Sequence, residues 1–377
     1  MDTNNLYERY QRQIILKEFG EAGQLKLQAA KVLVIGAGGL GCPALQYLAA
    51  AGVGTIGIID DDIVSLSNLH RQVLYSTGDV GVSKALEAKA VLEKLNDGIT
   101  VIAYNERLTT ANALSIFSAF DIIVDGTDNF ATRYLVNDAC VLLGKPLVYG
   151  AVSQFEGQVA VFNSINKTGP PTANYRDLFP QPPKDGEVLS CAEAGVLGVL
   201  PGIIGTMQAN ETIKLITGIG QPLINSLLTF NALNNQFYQL TIKAHVETRA
   251  LIPLDKTAFL QMDYEWLCAS TFNQPEITTL DFDTMCAEKN VTIIDVREAT
   301  ELPRPIEFNY VNTPLVEIIN NNIPVIDTEN IVVFCQTGKR SAQAAQLLFN
   351  TFGTSKKIYS LQGGIVNWIK NKQPLQK

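Results

Sequence analysis

Short runs of β-branched residues alternate with stretches of helical periodicity through the first 150 residues of the chain. The runs predicted as strands cover residues 31–35, 55–60, 100–104, 122–125 and 147–149. The helices predicted between them cover residues 40–51, 83–95 and 131–143. This alternation is typical of a parallel sheet with helices on both faces, so the pattern predicts an α/β fold with a Rossmann-like, mostly parallel sheet.

The pattern changes after Gly150. Further strands are predicted at 157–162 and within 227–240, separated by a loop rich in proline and glycine and by an apolar helix that ends near Thr217. Residues 245–275 lack clear periodicity, and a smaller α/β unit follows. Its predicted strands and helices cover residues 291–295, 331–335, 357–359, 341–349 and 365–370. The predicted organisation is a first domain over 1–245, a linker over 246–276 and a second domain over 277–377.

Composition narrows the class of protein. Apolar residues make up 46% and charged residues 18% of the 377 residues, which indicates a globular chain with large cores. The net charge is −8 and no block of lysine or arginine stands out, so neither nucleic-acid nor membrane-surface binding is expected. The longest apolar stretch, 192–209, contains Glu193 and Pro201, so it is predicted to be a buried helix rather than a membrane span. The first residues have no apolar run typical of a signal peptide.

The cysteines indicate a reducing compartment and no thiolate metal site. Six cysteines are widely spaced and no Cys-x-x-Cys pair is present, which excludes a secreted disulfide framework and gives no support for structural zinc. Only two histidines are available as further ligands. A cytoplasmic protein with reduced thiols is therefore predicted.

A glycine-rich turn is the first candidate for chemistry. Gly36-x-Gly38-x-x-Gly41 follows a predicted strand and opens a predicted helix, and Asp60 follows the next strand. These residues fit dinucleotide binding, with Asp60 on the ribose. Taken alone, they favour an NAD-dependent oxidoreductase.

Three further observations favour a nucleoside triphosphate. Arg71 and Lys84 follow at short range, and a triphosphate needs such cations where a nicotinamide cofactor does not. Asp128, in Gly126-Thr-Asp-Asn129, follows another strand and offers a carboxylate to a magnesium ion. The chain has no Gly-x-x-x-x-Gly-Lys-Ser/Thr loop, which excludes ordinary P-loop binding. All these groups follow strands, so we expect them to meet in one crevice.

With these motifs, residues 7–240 resemble the MoeB/ThiF/HesA-type family of ubiquitin-activating-like adenylyltransferases. The matching signatures are Arg9-Tyr-Gln-Arg12-Gln-Ile-Ile-Leu, Gly36–Gly41, Asp60–Gln72, Gly126–Asn129 and Cys191-Ala-Glu-Ala-Gly-Val. The resemblance implies an enzyme that uses ATP and Mg²⁺ to adenylate the C-terminal glycine of a ubiquitin-like sulfur carrier. It implies a nucleotide site made of Gly36, Gly38, Gly39, Gly41, Asp60, Asp62, Ser67, Asn68, Arg71, Lys84, Asp128 and Asn129.

The resemblance also implies roles for individual residues. Gly39 lies against the nucleotide, and Asp60 accepts hydrogen bonds from its ribose. The residues implied to contact the phosphates are Asn68, Arg71 and Lys84. Asp128 is implied to hold the magnesium ion, and Arg12, with Arg9, to reach the phosphates from the partner subunit of a homodimer. Without the resemblance, a solvated helix face is the better interpretation of the two arginines.

The chain departs from the family at the zinc site. Many relatives carry two Cys-x-x-Cys pairs, whereas the place of the first pair here is occupied by Asn174-Tyr-Arg-Asp177, and nothing replaces the second. We expect that no zinc is bound and that packing or the linker stabilises this region instead.

A second candidate site lies near the other end of the chain. Cys335 begins a loop, Gln336-Thr-Gly-Lys339-Arg340-Ser341, between an apolar strand and a helix. Backbone N–H groups, the helix N-terminus and the two cations are expected to stabilise a thiolate or persulfide there. The alternative is a buried cysteine at a strand end.

The surrounding sequence resembles a rhodanese sulfurtransferase domain over residues 277–372. The matching motifs are Ile294-Asp-Val-Arg-Glu298, Cys335–Ser341 and Leu361-Gln-Gly-Gly364 with Trp368. The stretch between Glu298 and Thr313 departs from the family, because it is short and lacks the usual histidine-proline-glycine segment.

Cys191 is the third candidate. It matches a family cysteine that can link covalently to the activated carrier, although a small buried hydrophobe remains the alternative. The other four cysteines are predicted to be core residues. They are Cys42, Cys140, Cys268 and Cys286.

Both resemblances together imply an enzyme with adenylyltransferase and sulfurtransferase activities. A cysteine desulfurase is an expected sulfur source, and the product is expected to be a carrier thiocarboxylate for thiamine or molybdopterin synthesis. An NAD-dependent oxidoreductase and a non-catalytic scaffold for a carrier and a desulfurase are the alternatives. The sequence leaves open which carrier is used and the order in which Cys191 and Cys335 act.

Overall fold

The computed structural model describes residues 3–164, 172–182, 195–264, 276–288, 290–320 and 322–372. These residues form two compact units, one within residues 3–264 and the other within residues 276–372. Cys191 and Cys268 lie outside the described residues.

One eight-stranded sheet organises the first unit. Its strands are β1 (Lys31–Ile35), β2 (Thr55–Ile59), β3 (Thr100–Tyr104), β4 (Ile122–Asp125), β5 (Leu147–Ser153), β6 (Glu156–Phe162), β7 (Ser226–Asn231) and β8 (Gln236–Thr241). They lie in the order β3-β2-β1-β4-β5-β6-β7-β8. The first five pair in parallel, and the last three join antiparallel. The predicted Rossmann-like, mostly parallel sheet is therefore confirmed.

Helices cover this sheet, and two further short helices lie in the predicted linker. They are α1 (Thr3–Ile14), α2 (Gly20–Ala29), α3 (Gly41–Ala51), α4 (Lys84–Leu95), α5 (Thr110–Ser118), α6 (Phe130–Leu143), α7 (Tyr175–Leu178), α8 (Val199–Thr217), α9 (Val246–Arg249) and α10 (Lys256–Leu260). The periodicity did not predict α5, and the predicted strand region 227–240 is two strands joined by a turn.

The order of the strands explains where a ligand can bind. The order in which strands are added to the sheet reverses between β1 and β4. The strand that follows β1, β2, lies on one side of this pair, and the strand that follows β4, β5, lies on the other side. The loops that leave these two strands therefore diverge and open a crevice at their carboxyl ends. The four residues of β4 are all buried, and three of them are apolar, so the sheet beneath this crevice is mostly apolar.

A buried ion pair holds the segment Asn174–Asp177. The Arg176 guanidinium donates two hydrogen bonds to the Asp138 carboxylate, at 2.9 and 2.7 Å. The Tyr264 hydroxyl donates to the same carboxylate at 2.8 Å. The backbone N–H of His245 donates to Asp177 at 2.9 Å. The Thr248 hydroxyl donates to the same Asp177 carboxylate, so a residue of the predicted linker binds directly to this segment.

We expect the Asp138→Asn substitution to lower the free energy of unfolding by about 3 kcal/mol, because it leaves the buried Arg176 charge uncompensated. Urea denaturation of the full chain, followed by circular dichroism, measures the change. Asp97→Asn is the matched control, since the Asp97–Arg9 pair is solvent-exposed and its loss should cost less than about 1 kcal/mol. Equal effects of the two substitutions would contradict a structural role for the buried pair.

A five-stranded parallel sheet forms the second unit. Its strands, in the order β11-β10-β12-β13-β9, are all parallel. The strands are β9 (Glu276–Ile277), β10 (Val291–Asp295), β11 (Val311–Asn312), β12 (Asn330–Phe334) and β13 (Lys357–Leu361). The helices are α11 (Thr279–Cys286), α12 (Leu315–Ile319), α13 (Lys339–Phe352) and α14 (Gly364–Lys372). Apolar clusters cover both faces of this sheet, which confirms the predicted smaller α/β domain.

Within the described ranges, every helix is too short or too polar to cross a lipid bilayer.

Candidate active sites

The turn after β1 can be built only with glycine at two positions. Gly36 has a φ of +84°, in the left-handed region. A Cβ at Gly41 would lie 1.8 Å from the Gly36 carbonyl oxygen, so a side chain there would force the backbone apart. A Cβ at Gly39 would lie 3.1 Å from Pro201, at the mouth of the crevice. The turn therefore brings bare backbone to the edge of the sheet.

A cavity of about 600 Å³ opens above this turn. The loops after β1, β2, β3 and β4 all contribute to its wall, as the convergence at the strand ends predicts. The predicted nucleotide-site residues that line it are Gly36, Gly38, Gly39, Asp60, Asp62, Asn68, Arg71, Lys84, Asp128 and Asn129.

Asp60 connects the glycine turn to the loop after β2. Its carboxylate accepts hydrogen bonds from the N–H groups of Ala37, at 2.7 Å, and Asp62, at 2.9 Å. Burial raises the pKa of Asp60 above its usual value, while the Ala37 amide and the Lys84 charge act in the opposite direction. The carboxylate thus braces the turn and still lines the cavity, where the resemblance places the ribose.

Two cations lie on the same wall. Lys84 begins α4 and is only 5% exposed, and its Nζ donates to the Asp62 carboxylate at 2.7 Å. Arg71 donates to the Ser67 carbonyl oxygen at 3.2 Å and to His70 Nε2 at 2.8 Å. A buried ammonium and a positioned guanidinium on one cavity wall suit an anionic ligand with several phosphates.

Carboxylates face these cations. Oxygen atoms of Asp60, Asp61 and Asp62 lie within 4.8 Å of one another. Asp128 lies exposed beyond the end of β4 and also lines the cavity. Oxygen donors of this kind are the ligands that Mg²⁺ prefers, so the donor set fits a metal–nucleotide complex.

Gln72 has an unsatisfied polar group in the cavity wall. The side chain is 3% exposed, and its Oε1 has no hydrogen-bond partner within the part of the chain that the structure describes. Buried polar atoms normally have a partner.

Some residues of the cavity wall were not predicted from the sequence, and some predicted residues do not line the cavity. Arg107 and Leu108 line the cavity from the loop after β3, and only their position after a strand could have indicated them. Gly41 and Ser67 are not part of the cavity wall. Arg12 is exposed on α1 and does not line the cavity, while Arg9 on the same helix donates to the Leu95 carbonyl oxygen at 3.0 Å.

The second unit holds Cys335 in a loop of inward-pointing donors. Cys335 is 1% exposed, its Sγ accepts from the Gly338 N–H at 3.2 Å, and the Ser341 hydroxyl oxygen lies 3.5 Å from Sγ. Gly338 has a φ of +94°, which turns its N–H toward the sulfur. A Cβ at Gly364 would lie 2.6 Å from the Cys335 carbonyl oxygen, so the Gly-Gly motif lets the next helix pack against the loop.

Ion pairs surround this loop. Arg297 is buried against Asp295 and donates to Gln336 Oε1 at 3.0 Å, which fixes the first residue after the cysteine. Arg340 pairs with Glu301 through two hydrogen bonds, and these hold the pKa of Glu301 well below its usual range, at about 2. The loop sequence predicts that the Arg340 charge stabilises the sulfur, whereas in the structure this charge is compensated by Glu301. The side chain of Lys339 lies outside the described part of the molecule.

The remaining described cysteines differ from Cys335. Cys42 and Cys140 are fully buried core residues, as predicted, and burial raises the pKa of Cys42 to about 12. Cys286 is half-buried, and burial raises its pKa to about 12 as well. Neither Cys42 nor Cys286 is set up to form a thiolate at neutral pH.

Comparison with known proteins identifies the family. The ThiF family matches residues 10–250, and the rhodanese-like domain matches residues 278–371. The chain therefore belongs to the ThiF family and carries a C-terminal rhodanese-like domain.

Relatives that span both domains agree with this placement. The chain is 42% identical to the adenylyltransferase/sulfurtransferase MoeZ of Mycobacterium tuberculosis, over 97% of this chain and 93% of that protein. It is 41% identical to the adenylyltransferase and sulfurtransferase MOCS3 of Culex quinquefasciatus, over 98% and 88%. The sulfur carrier protein adenylyltransferase of Thermus thermophilus is 52% identical over 71% of this chain and 98% of its own length. The prediction of an enzyme that combines adenylyltransferase and sulfurtransferase domains is confirmed.

Solved structures show the same fold at lower identity. A crystal structure of E. coli MccB superposes with a TM-score of 0.56 at 24% identity, covering 64% of this chain and 71% of that one. The likeness supports the ThiF-type fold of the first unit.

Proposed function

We propose that the chain uses ATP to adenylate the C-terminal carboxylate of a ubiquitin-like sulfur carrier and then converts the acyl adenylate into a thiocarboxylate. In this proposal residues 1–245 adenylate, residues 277–377 deliver sulfur from Cys335, and 246–276 link the two. The observation that carries the proposal is that one cavity wall brings together buried Lys84, Arg71 and a group of carboxylates, with Lys84 paired to Asp62. The name of the Thermus relative, a sulfur carrier protein adenylyltransferase, supports the choice of substrate.

The cavity residues suit ATP. Bare backbone at Gly38 and Gly39 allows close approach of the nucleotide, and Asp60 offers acceptor oxygens for ribose hydroxyls. The phosphates need cations because the attacking carboxylate is itself negative, and Arg71, Lys84 and Asn68 supply donors on that wall.

Asp128, with the Asp60–Asp62 carboxylates nearby, would hold the magnesium ion. When bound, the ion neutralises charge on the phosphates and on the pyrophosphate that leaves. We expect no zinc, because the Asn174–Asp177 segment is held by the Asp138–Arg176 pair.

The chemistry proceeds in two displacements. A carboxylate oxygen of the carrier attacks the α-phosphorus of ATP, the bond to the β-phosphate breaks, and pyrophosphate leaves. The terminal sulfur of a Cys335 persulfide then attacks the acyl carbon, and AMP leaves with the former carboxylate oxygen. The carrier is now joined to Cys335 through an acyl disulfide.

A thiolate must release the product from this acyl disulfide. Attack of Cys191 on Cys335 Sγ would free the thiocarboxylate and leave a Cys191–Cys335 disulfide, which an external thiol reductant resets. Alternatively, Cys191 takes the acyl group first as a thioester. A cysteine desulfurase is the proposed source of the persulfide, and this thiol chemistry suits the reducing cytoplasm.

The proposed active form is a homodimer. Arg12 is exposed on α1 and does not line its own chain's cavity, so it is available to a second subunit. We propose that it reaches the partner's phosphates, as the family resemblance implies.

The test is to incubate the full chain with ATP, Mg²⁺, a sulfur donor and individual carrier proteins, and to weigh the carriers by mass spectrometry. A gain that corresponds to the replacement of one oxygen by sulfur is expected for the true substrate. Pyrophosphate exchange without any mass gain would indicate adenylation alone. Nicotinamide binding in place of ATP would support the oxidoreductase alternative, and carrier binding without exchange would support the scaffold.

A further inference from the structure

Two fully buried serines lie beside the sulfur loop, which is formed by residues 335–340. Ser341 is in the first turn of α13 and Ser360 is in β13, and both side chains are 0% exposed. The Ser360 hydroxyl donates to the Ser341 hydroxyl oxygen at 2.9 Å. Ser360 itself makes no hydrogen bond to Cys335 among the contacts of the described residues.

The Ser341 hydroxyl has one hydrogen and two nearby acceptors. The Gly338 carbonyl oxygen lies 2.9 Å away and Cys335 Sγ lies 3.5 Å away. A hydroxyl can donate once and accept twice. Because Ser360 supplies a hydrogen to Ser341, Ser341 is left to act as a donor to one of these two acceptors.

The charge on sulfur decides between the acceptors. A neutral thiol is a weak acceptor, and the Gly338 carbonyl oxygen is then the better partner. A thiolate or persulfide anion accepts a charge-assisted hydrogen bond, which is stronger than a neutral one. The Gly338 N–H already points at Sγ, so a donated Ser341 hydrogen would add a second bond to the anion.

We propose that Ser360 is a positioning residue of the sulfurtransferase site, which keeps Ser341 oriented as a hydrogen-bond donor to the negatively charged sulfur of Cys335. The inference rests on the proposed role of Cys335 as the sulfur-carrying residue. Ser360 lies in β13, beside the strand that leads to Cys335, and would assist the hydrogen-bond donors of the sulfur loop.

Two ion pairs beside the loop belong to the described part of the molecule. Asp295 in β10 binds Arg297, and Glu301 in the preceding loop binds Arg340 at the start of α13. Neither pair includes a serine hydroxyl, so we expect a change in thiol ionisation in a serine variant to come from the hydroxyl groups.

The test is the pH dependence of Cys335 alkylation by iodoacetamide in the full chain, measured on the Cys335 peptide by mass spectrometry. Ser360→Ala and Ser341→Ala are each expected to raise the pH midpoint of alkylation by about one unit. In the double variant the midpoint should equal that of Ser341→Ala, because Ser360 acts through Ser341. An unchanged midpoint in Ser360→Ala, or additive shifts in the double variant, would overturn the proposal.

Two isosteric substitutions at Ser360 distinguish the effect of the hydroxyl group from the effect of packing. Ser360→Thr and Ser360→Val add similar bulk, but only threonine keeps the donor. The threonine variant is expected to retain a lower midpoint than the valine variant, and equal midpoints would refute the proposal. Thr292→Val is the control, since it removes a hydroxyl pair with Thr328, at 2.7 Å, in the same sheet. Its midpoint should match that of the unmodified chain.

The alkylation experiment measures the ionisation of the Cys335 thiol and does not depend on carrier turnover. A Cys335→Ala enzyme that still made thiocarboxylate would refute the sulfur-carrying role, whereas the alkylation midpoints would still report whether Ser360 acts on the thiol. The two failures are therefore distinguishable.

Discussion

Replacing Cys335 by alanine is expected to reduce carrier thiocarboxylation by at least about 10³-fold while leaving ATP–pyrophosphate exchange at the unmodified rate. The sulfur atom is the group that bonds to the acyl carbon in the proposed reaction, so no neighbouring side chain can replace it. In the proposed reaction adenylation takes place in the other unit, whose cavity is lined by residues within 35–201. Carrier mass and pyrophosphate exchange, measured on the same preparation, report the two steps separately.

Cys286→Ala is the matched control for this substitution. Cys286 belongs to the same sheet unit, but it is half-buried at the end of α11 and packs against the apolar cluster of Phe282 and Trp368, whereas Cys335 belongs to the other cluster. It should retain full thiocarboxylation. If Cys335→Ala also retained it, the sulfur would have to enter by another route, and the proposed role of the rhodanese-like domain would be wrong.

Asp128→Asn is expected to lower ATP–pyrophosphate exchange by a hundredfold to about a thousandfold. The substitution keeps the shape of the side chain and removes the charge that would bind magnesium at the cavity. The side chain is exposed, so the fold should tolerate the change. Initial exchange rates across a magnesium titration provide the measurement, and excess Mg²⁺ should restore part of the lost rate.

Asp121→Asn provides the same loss of charge at the opposite end of strand β4. Asp121 accepts a hydrogen bond from the Lys31 N–H at 2.9 Å, and asparagine can do the same. Its exchange rate should be unchanged. An Asp128→Asn enzyme with a normal rate would instead assign the metal to the carboxylates of Asp60, Asp61 and Asp62.

The positions of the nucleotide-site residues could be predicted because parallel strands bring their carboxyl ends together. Gly36, Asp60 and Gly126 each follow a different strand, and the structure places all three around one cavity. These residues are far apart in the sequence, but the parallel sheet brings them together. The same reasoning applied to β3 would have found Arg107, which belongs to no motif.

Long-range pairing could not be predicted from local patterns. Glu301 and Arg340 are 39 residues apart, and neither carries a signal for the other. The pairing of Tyr264 with Asp138 spans 126 residues and lies in a segment whose sequence lacks periodicity. Such contacts depend on the completed fold, so an estimate of local charge from sequence alone overstates the potential at Cys335.

Helix α5 escaped for a different reason. Its nine residues are too few to show a clear repeat, yet β3 and β4 are consecutive strands of one parallel sheet, and such strands require a crossover between them. Connectivity rather than periodicity was the useful signal there.

Gly41 shows how a position can be indispensable without touching any ligand. It lies behind the cavity wall, yet any side chain on it would collide with the carbonyl of Gly36 and reshape the whole turn. In a genetic screen such a residue would score like a catalytic one, although its contribution is purely architectural. Intolerance to substitution in this enzyme therefore marks the scaffold of the pocket as well as its chemistry.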